Sequence, residues 1–319
     1  MKTFIKKVYL MGITFLCFLP MTTPAVSAER SYPAKDNIIW IVASAPGGGF
    51  DTYARVLAPY LGKYLPHPAN VIVKNVPGSG GLSGASMLYN AKPDGYTIGY
   101  VYFPGIALLS RTSNIGFDYH KFTSVAQIAT DTQAIFVSAK SDIKTLADLQ
   151  KKNPLRILTQ PKGVSMYSFW QIAIDVMKLK PKLITGYKGG NQVATGLMRD
   201  DGDAGILNLG QFLKYQKSGD LRAIVTFSKE RHPLTPDVPS AGELGYGESS
   251  VITGWKIIYG PPGLPADITK ALEMAFEKSL NDPKVQAWSK KTGHVFQFVD
   301  GKTSWEDMQK AIEVYSKYD

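Results

Sequence analysis

The segment "IIWIVASAPGGGFDTYARVLAPYL", residues 38–61, decides the fold. Its opening, "NIIWIVAS", is short, β-branched and apolar, as in a strand buried on both faces. Gly47, Gly48 and Gly49 then turn the chain, and the period changes. Ala54, Leu57, Ala58, Leu61, Tyr64 and Leu65 fall at helical spacing and predict a helix with one apolar face. Asp51 is placed to cap that helix, and Pro59 should kink or shorten it. A strand that ends in a glycine turn and opens a helix offers free amides and the positive end of the helix dipole. Both favour an anion.

The same unit recurs. "NVIVKNV" reads as a strand, "PGSGGLSGASMLYNA" as a glycine loop leading into a helix, and "YTIGYVYF" as a further strand. Farther on, "LRILTQ" leads through "PKGVS" into "MYSFWQIAIDVMKL", and "LITGY" leads through "KGG" into "NQVATGLMRD" and the strand "DAGILNL". This alternation defines an α/β protein with largely parallel sheets, closed by the helices "ADITKALEMAFEKSLND" and "SWEDMQKAIEVYSKY". In open parallel sheets ligands sit beyond the carboxyl ends of the strands. Four glycine loops that could converge there would form an anion cleft.

The amino terminus indicates where such a cleft works. Lys2, Lys6 and Lys7 precede an apolar run over residues 8–19, then Pro20 and "TTPAVSA". This is a secretory signal, residues 1–28, with Val26 and Ala28 before the cleavage point and Glu29 as the mature start. The apolar run is too short to span a membrane. Cys17, the single cysteine, lies inside the signal, so the mature chain has neither disulfides nor thiol chemistry. Once the three leader lysines are set aside, the 36 Lys and Arg residues still outnumber the 26 acids, by seven. That suits an acidic small ligand. No basic run interleaved with aromatics indicates nucleic acid.

Catalytic patterns fail residue by residue. "GGGFDT" lacks the third glycine of a dinucleotide loop, and "GKT" at 301–303 has Phe296 where a phosphate loop needs glycine. "PGSGG" has Pro77 where a nucleophile elbow begins with glycine. His67, His120, His232 and His294 share no metal spacing, and "RDDGD" at 199–203 reads as an acidic turn. No cofactor or metal is expected. Ser79, Ser165 and His120 are the residues to test for an exported hydrolase or isomerase, the enzymatic rival to a binding protein.

The motifs, taken together, resemble a known family. "APGGGFDTYARVLAPYL" is similar to the P-G-G-x-x-D-x-x-A-R loop and helix of the solute-binding proteins of tripartite tricarboxylate transporters, the Bug family. "VIVKNVPGSGGLSGA", "KPDGYTIGYV", "GYKGGNQVATGLMRDDGDAGI", "SGDLRAIVTFSKERHPLTPDVPSAGELGY" and "WKIIYGPPGLPADITKAL" resemble further family segments in the same order.

The resemblance implies a two-domain Venus flytrap of the periplasmic-binding-protein (type II) fold, with the ligand cleft between the domains. Domain 1 would be discontinuous, residues 29–128 plus 252–319, and domain 2 would be residues 129–251. It implies a periplasmic monomer that captures a small carboxylate for membrane permease subunits of a tripartite transporter. A role in ligand sensing is the second rival. Carried over, the first-domain site is Gly48, Gly49, Phe50 and Asp51 with Ser79, Gly80 and Gly81, Asp51 bracing the loop. The second domain supplies Gly163 and Ser165, then Gly189, Gly190 and Asn191, with Asp203 as brace or contact. Phe50 stands where the family often has a small threonine, and Ser168 where histidine is common. Tyr102, Phe103, Tyr167 and Trp255 are expected as aromatic walls, which favours a dicarboxylate or aromatic carboxylate. Lys162 and Lys188 are candidates for a second carboxylate.

Overall fold

The computed structural model describes residues 32–33, 37–162, 164–292 and 294–318. The signal and its cleavage point after Ala28 lie outside these residues, as does Gly163. In the first lobe, β1 (Asn37–Val42) runs parallel to β2 (Asn70–Asn75) and β3 (Thr97–Tyr100). Each is followed by a helix: α1 (Gly49–Tyr64), α2 (Leu82–Tyr89) and α3 (Gly105–Thr112). Ile38, Trp40 and Val42 point to one face of β1 and Ile41 to the other, and all four are buried. That is why this strand reads as a continuous apolar run rather than an alternating one.

β4 (Thr123–Ser138) is sixteen residues long and belongs to both lobes. It is followed by α4 (Leu146–Lys151), β5 (Leu155–Leu158), α5 (Ser165–Val176), β6 (Pro181–Ile184) and α6 (Gly190–Met198). Then come β7 (Gly205–Asn208), α7 (Leu209–Lys217), β8 (Leu221–Thr226) and β9 (Thr253–Gly260). The chain ends with α8 (Ala266–Leu280), α9 (Pro283–Thr292), β10 (Val299–Asp300) and α10 (Gly301–Tyr315). The first-lobe sheet has the order β10-β4-β9-β3-β1-β2, while β7 and β8 pair with the second half of β4. β5 and β6 pair in parallel, and Ile157 bridges to Ala204 beside β7.

The sheets are therefore mixed rather than largely parallel. β4 runs antiparallel to β7, β8, β9 and β10, because one strand carries the chain out of the first lobe and β9 carries it back. Four apolar clusters cover the sheet faces. α1 and α8 cover one face of the first lobe and α2, α3 and α10 the other. α4 and α5 cover one face of the second lobe, where Tyr315 of α10 also packs, and α6 and α7 cover the opposite face.

Pro59 does not shorten α1, which continues to Tyr64. The proline sits on the exposed side, and buried Leu57, Ala58 and Leu61 hold the helix to the sheet. Apolar burial of about 2 kcal/mol per side chain outweighs the one hydrogen bond that proline forfeits.

Candidate functional site

The candidate loops lie at the carboxyl ends of the parallel strands in both lobes. In the first, Gly48 is the N-cap of α1, in extended conformation and without a side-chain cap. Asp51 is thus not the N-cap but stands in the first turn, 3% exposed, and reaches back. Its Oδ2 accepts from the Gly47 amide at 2.8 Å and from Arg55 Nε at 3.0 Å, and its Oδ1 from Asn75 Nδ2 at 2.9 Å. Asn75 also donates to the Ser44 carbonyl, and Arg55 donates to Asn75. Burial raises the Asp51 pKa, but bonds from Arg55, Gly47 and Asn75 outweigh it and hold the group below the usual carboxylate range. The carboxylate is satisfied by the loop, by α1 and by β2, through Gly47, Arg55 and Asn75.

The second loop turns through Ser79, Gly80 and Gly81, with φ of 46°, 66° and 101°. Gly81 then caps α2 without a side-chain bond. Tyr102 lies against Gly81 and under Phe50, the two rings 4.3 Å apart. Burial pushes the Tyr102 phenol up to about 12. Phe103 points the other way. It is 5% exposed and packs in the core on Tyr119, Tyr259 and Trp305. The chain turns here, the Phe103 amide bonding the Val101 carbonyl, and Tyr102 and Phe103 go to different apolar clusters, so the structure does not bring Phe103 to the cleft.

From the second lobe, α5 begins at Ser165 after Val164, and α6 at Gly190 after Gly189, neither with a side-chain cap. Gln160 Nε2 donates to the Lys188 carbonyl at 3.3 Å, tying these two loops together. Tyr167 is half-buried in the first turn of α5, and Trp255 is half-buried against the second-lobe core. Lys162 and Lys188 are exposed. Asn191 lines a separate groove of about 390 Å³ with Tyr187, Gln192, Thr195 and Arg199, in which no first-lobe loop takes part.

Asp203 lies just before β7, at the amino ends of the strands and away from these loops. Its carboxylate accepts from the Arg156 amide (2.6 Å) and from Arg156 Nε (3.3 Å) and Nη2 (2.9 Å). It braces the second lobe. Asp203→Ala leaves a buried amide unpaired and is expected to cost about 2–3 kcal/mol in chemical denaturation. A loss under 0.5 kcal/mol would remove this role.

Three first-lobe glycines come close to the second lobe. A Cβ on Gly49 would stand 3.8 Å from Gln211 Oε1, one on Gly80 4.0 Å from Val164 Cγ2, and one on Gly105 2.9 Å from Ser165 Oγ. The starts of α1, α2 and α3 thus face those of α7 and α5. Sequence reasoning missed the α3 and α7 contributions. "FPGIALL" and "LNLGQF" have the strand-turn-helix form but no glycine pair, and Asn208 caps α7 through the Gln211 amide. Among the described residues no group of three or more His, Cys, Asp or Glu is placed to hold a metal ion, and no helix is long and apolar enough to cross a membrane.

A mixed α/β molecule whose two lobes oppose helix N-termini across a cleft has the two-domain periplasmic-binding-protein fold. Solved structures agree. A Rhodopseudomonas palustris protein with adipate matches with TM-score 0.78 and 20% identity, over 90% of this chain and 97% of that one. R. palustris MatC with bound malate matches with TM-score 0.75 and 21% identity, over 90% and 99%. Residues 53–304 match the tripartite tricarboxylate transporter family receptor, and the chain belongs to that family of periplasmic solute-binding proteins. An Agrobacterium vitis relative, described as a UPF0065 protein in the TAR-I ttuE-ttuC' intergenic region, is 30% identical over 289 residues, 88% of this chain and 82% of its own.

Proposed function

We propose that this chain is exported, loses residues 1–28, and works as a periplasmic monomer that binds a small organic carboxylate between its lobes for handover to membrane permease subunits. The observation that carries the reading is the state of the helix starts. Of the six helices that begin at the cleft, α1, α2, α3, α5 and α6 have no side-chain cap. α7 is capped by Asn208, and away from the cleft α4 and α10 are capped by Thr145 and Asp300 while α8, after Pro265, is not. Free amides at a dipole's positive end are the complement of a carboxylate.

In this reading Gly48, Gly49, Phe50, Ser79, Gly80 and Gly81 hold one carboxylate, and Ser165, with the loops at Gly163 and Gly189, engages the ligand from the second lobe. Phe50 and Tyr102 make an apolar wall that suits a ligand with a hydrocarbon or aromatic body, as the adipate bound by one R. palustris protein has. The domains divide as 29–128 plus 252–319 and 129–251, with the hinge where β4 and β9 cross. Contact with both loop sets favours the closed form. The function is capture, without turnover.

The test is a thermal-shift series with adipate, malate, succinate, benzoate, terephthalate, phosphate and methanesulfonate. A carboxylate at a hundredfold its Kd should stabilise the protein by about 2.7 kcal/mol, read as a rise of several degrees. No shift with any carboxylate, or consumption of the stabilising compound, would remove this reading.

A further inference from the structure

Lys256, in β9, is 0% exposed, and its ammonium contacts the Asp131 carboxylate of β4. Both residues lie where these strands pass between the lobes, beside the pairs Thr130–Trp255 and Thr132–Thr253. The Lys256 ammonium also stands 5.1 Å from the ring centre of Phe50 and 4.5 Å from that of Tyr53. Tyr53 faces the other Asp131 oxygen at 3.4 Å. One buried cation is thus clasped by a crossover strand beneath it and by the first turns of α1 above it. A buried lysine costs several kcal/mol unless it is paired, and an apolar side chain would fill this position at no such cost.

We propose that Lys256 is a positioning residue for ligand capture: paired with Asp131, it fixes the first turn of α1 to the crossover strands and sets the charge beneath the amides that receive the carboxylate. The inference rests on the carboxylate site proposed above. With the pair intact the charge below α1 sums to zero. With the ammonium deprotonated or removed, Asp131, 16% exposed, remains as an unpaired negative charge under an anion site.

The titratable groups facing the ammonium are Asp131 from β4, Tyr53 from α1, His294 from the segment after α9, and His232 across a small cavity from the second lobe. Burial pushes Lys256 down to about 7. Burial also lowers His232, and burial and then Lys256 lower His294, so both imidazoles titrate below that range. The change centred near pH 7, from about pH 6 to 8, therefore belongs mainly to Lys256. Anion affinity should fall across it, by roughly three- to tenfold for one charge at this depth. Stability of the free protein should do the reverse. Lys256 has a folded pKa below its unfolded value, so the unfolded chain binds more protons above pH 7, and stability rises with pH toward about 10.

The experiment is calorimetric titration of the purified protein with adipate, malate and terephthalate at pH 6, 7, 8 and 9, for wild type, Lys256→Met, Asp131→Asn and the double variant. Lys256→Met should bind more weakly at pH 6, by roughly three- to tenfold, with a flat profile to pH 9. Asp131→Asn should bind more tightly than wild type at pH 6, and the double variant should return near wild type. Opposite signs for the two single variants separate positioning by charge from loss of structure, which would weaken both. Weakening in both, or a wild-type profile retained in Lys256→Met, overturns the proposal while leaving the carboxylate site standing. A wild type that binds none of the three probes removes the site and the proposal together.

Discussion

Asp51→Ala should lose about 2–3 kcal/mol of stability and at least tenfold in carboxylate affinity. The carboxylate is 3% exposed and accepts bonds from Gly47, Arg55 and Asn75. Without it the Gly47 amide is unpaired and Asn75 Nδ2 keeps only its bond to the Ser44 carbonyl, while Arg55, half exposed, turns to water. That difference limits the loss to the lower part of the range for buried ion pairs. The affinity loss follows from geometry: the Gly47 amide is what fixes the turn that carries the Gly49 and Phe50 amides. Because the folded pKa of Asp51 is depressed, its stabilisation is full above about pH 4 and is lost as pH falls through the folded value. The thermal gap between wild type and variant should therefore narrow below pH 4. Equal affinity and equal melting at pH 7 would end the bracing role.

Gly81→Val should cost about 3 kcal/mol and abolish binding at millimolar carboxylate. Two effects add. The residue has φ of 101°, which a β-branched side chain tolerates poorly, and its Cβ would lie 2.8 Å from Tyr102 Cδ2. The Tyr102 ring is already packed under Phe50, so its way out is toward the ligand. Gly80→Ala is the control. Its φ of 66° lies in the common left-handed region and a Cβ there meets nothing nearer than 4.0 Å, so about 1 kcal/mol is expected. Urea denaturation and ligand titration of the pair decide it. Similar behaviour of both variants would show that the Tyr102 contact is not what constrains the loop.

The glycine loops were legible because glycine is the residue a left-handed turn requires, and the helices after them because their apolar residues keep a 3.6 period. Asp51 as a brace was also readable, since an acid beside an anion site repels its own ligand. What stayed hidden depends on pairing across long sequence distances. Lys256 looks like an ordinary strand charge until Asp131, 125 residues earlier, is brought beneath it. "TSVAQIATDTQAIFVS" gives no sign that one strand serves two lobes, because its polar middle residues resemble a break. Nor does sequence show that Tyr102 and Phe103, adjacent and alike, go to opposite faces. The helix starts at Gly105 and Leu209 lack the glycine pairs that marked the others, so only their position reveals them.

The placement of β9 has a consequence for how the chain is made. β9 lies between β3 and β4 in the first-lobe sheet, yet it is supplied by residues 253–260. Until those residues are available, the sheet begun at residue 37 is split at its centre, with the edges of β3 and β4 unpaired. No amino-terminal fragment ending before residue 253 completes the first-lobe sheet. In a chain of this design the first-lobe sheet is completed only after the second-lobe strands have been made.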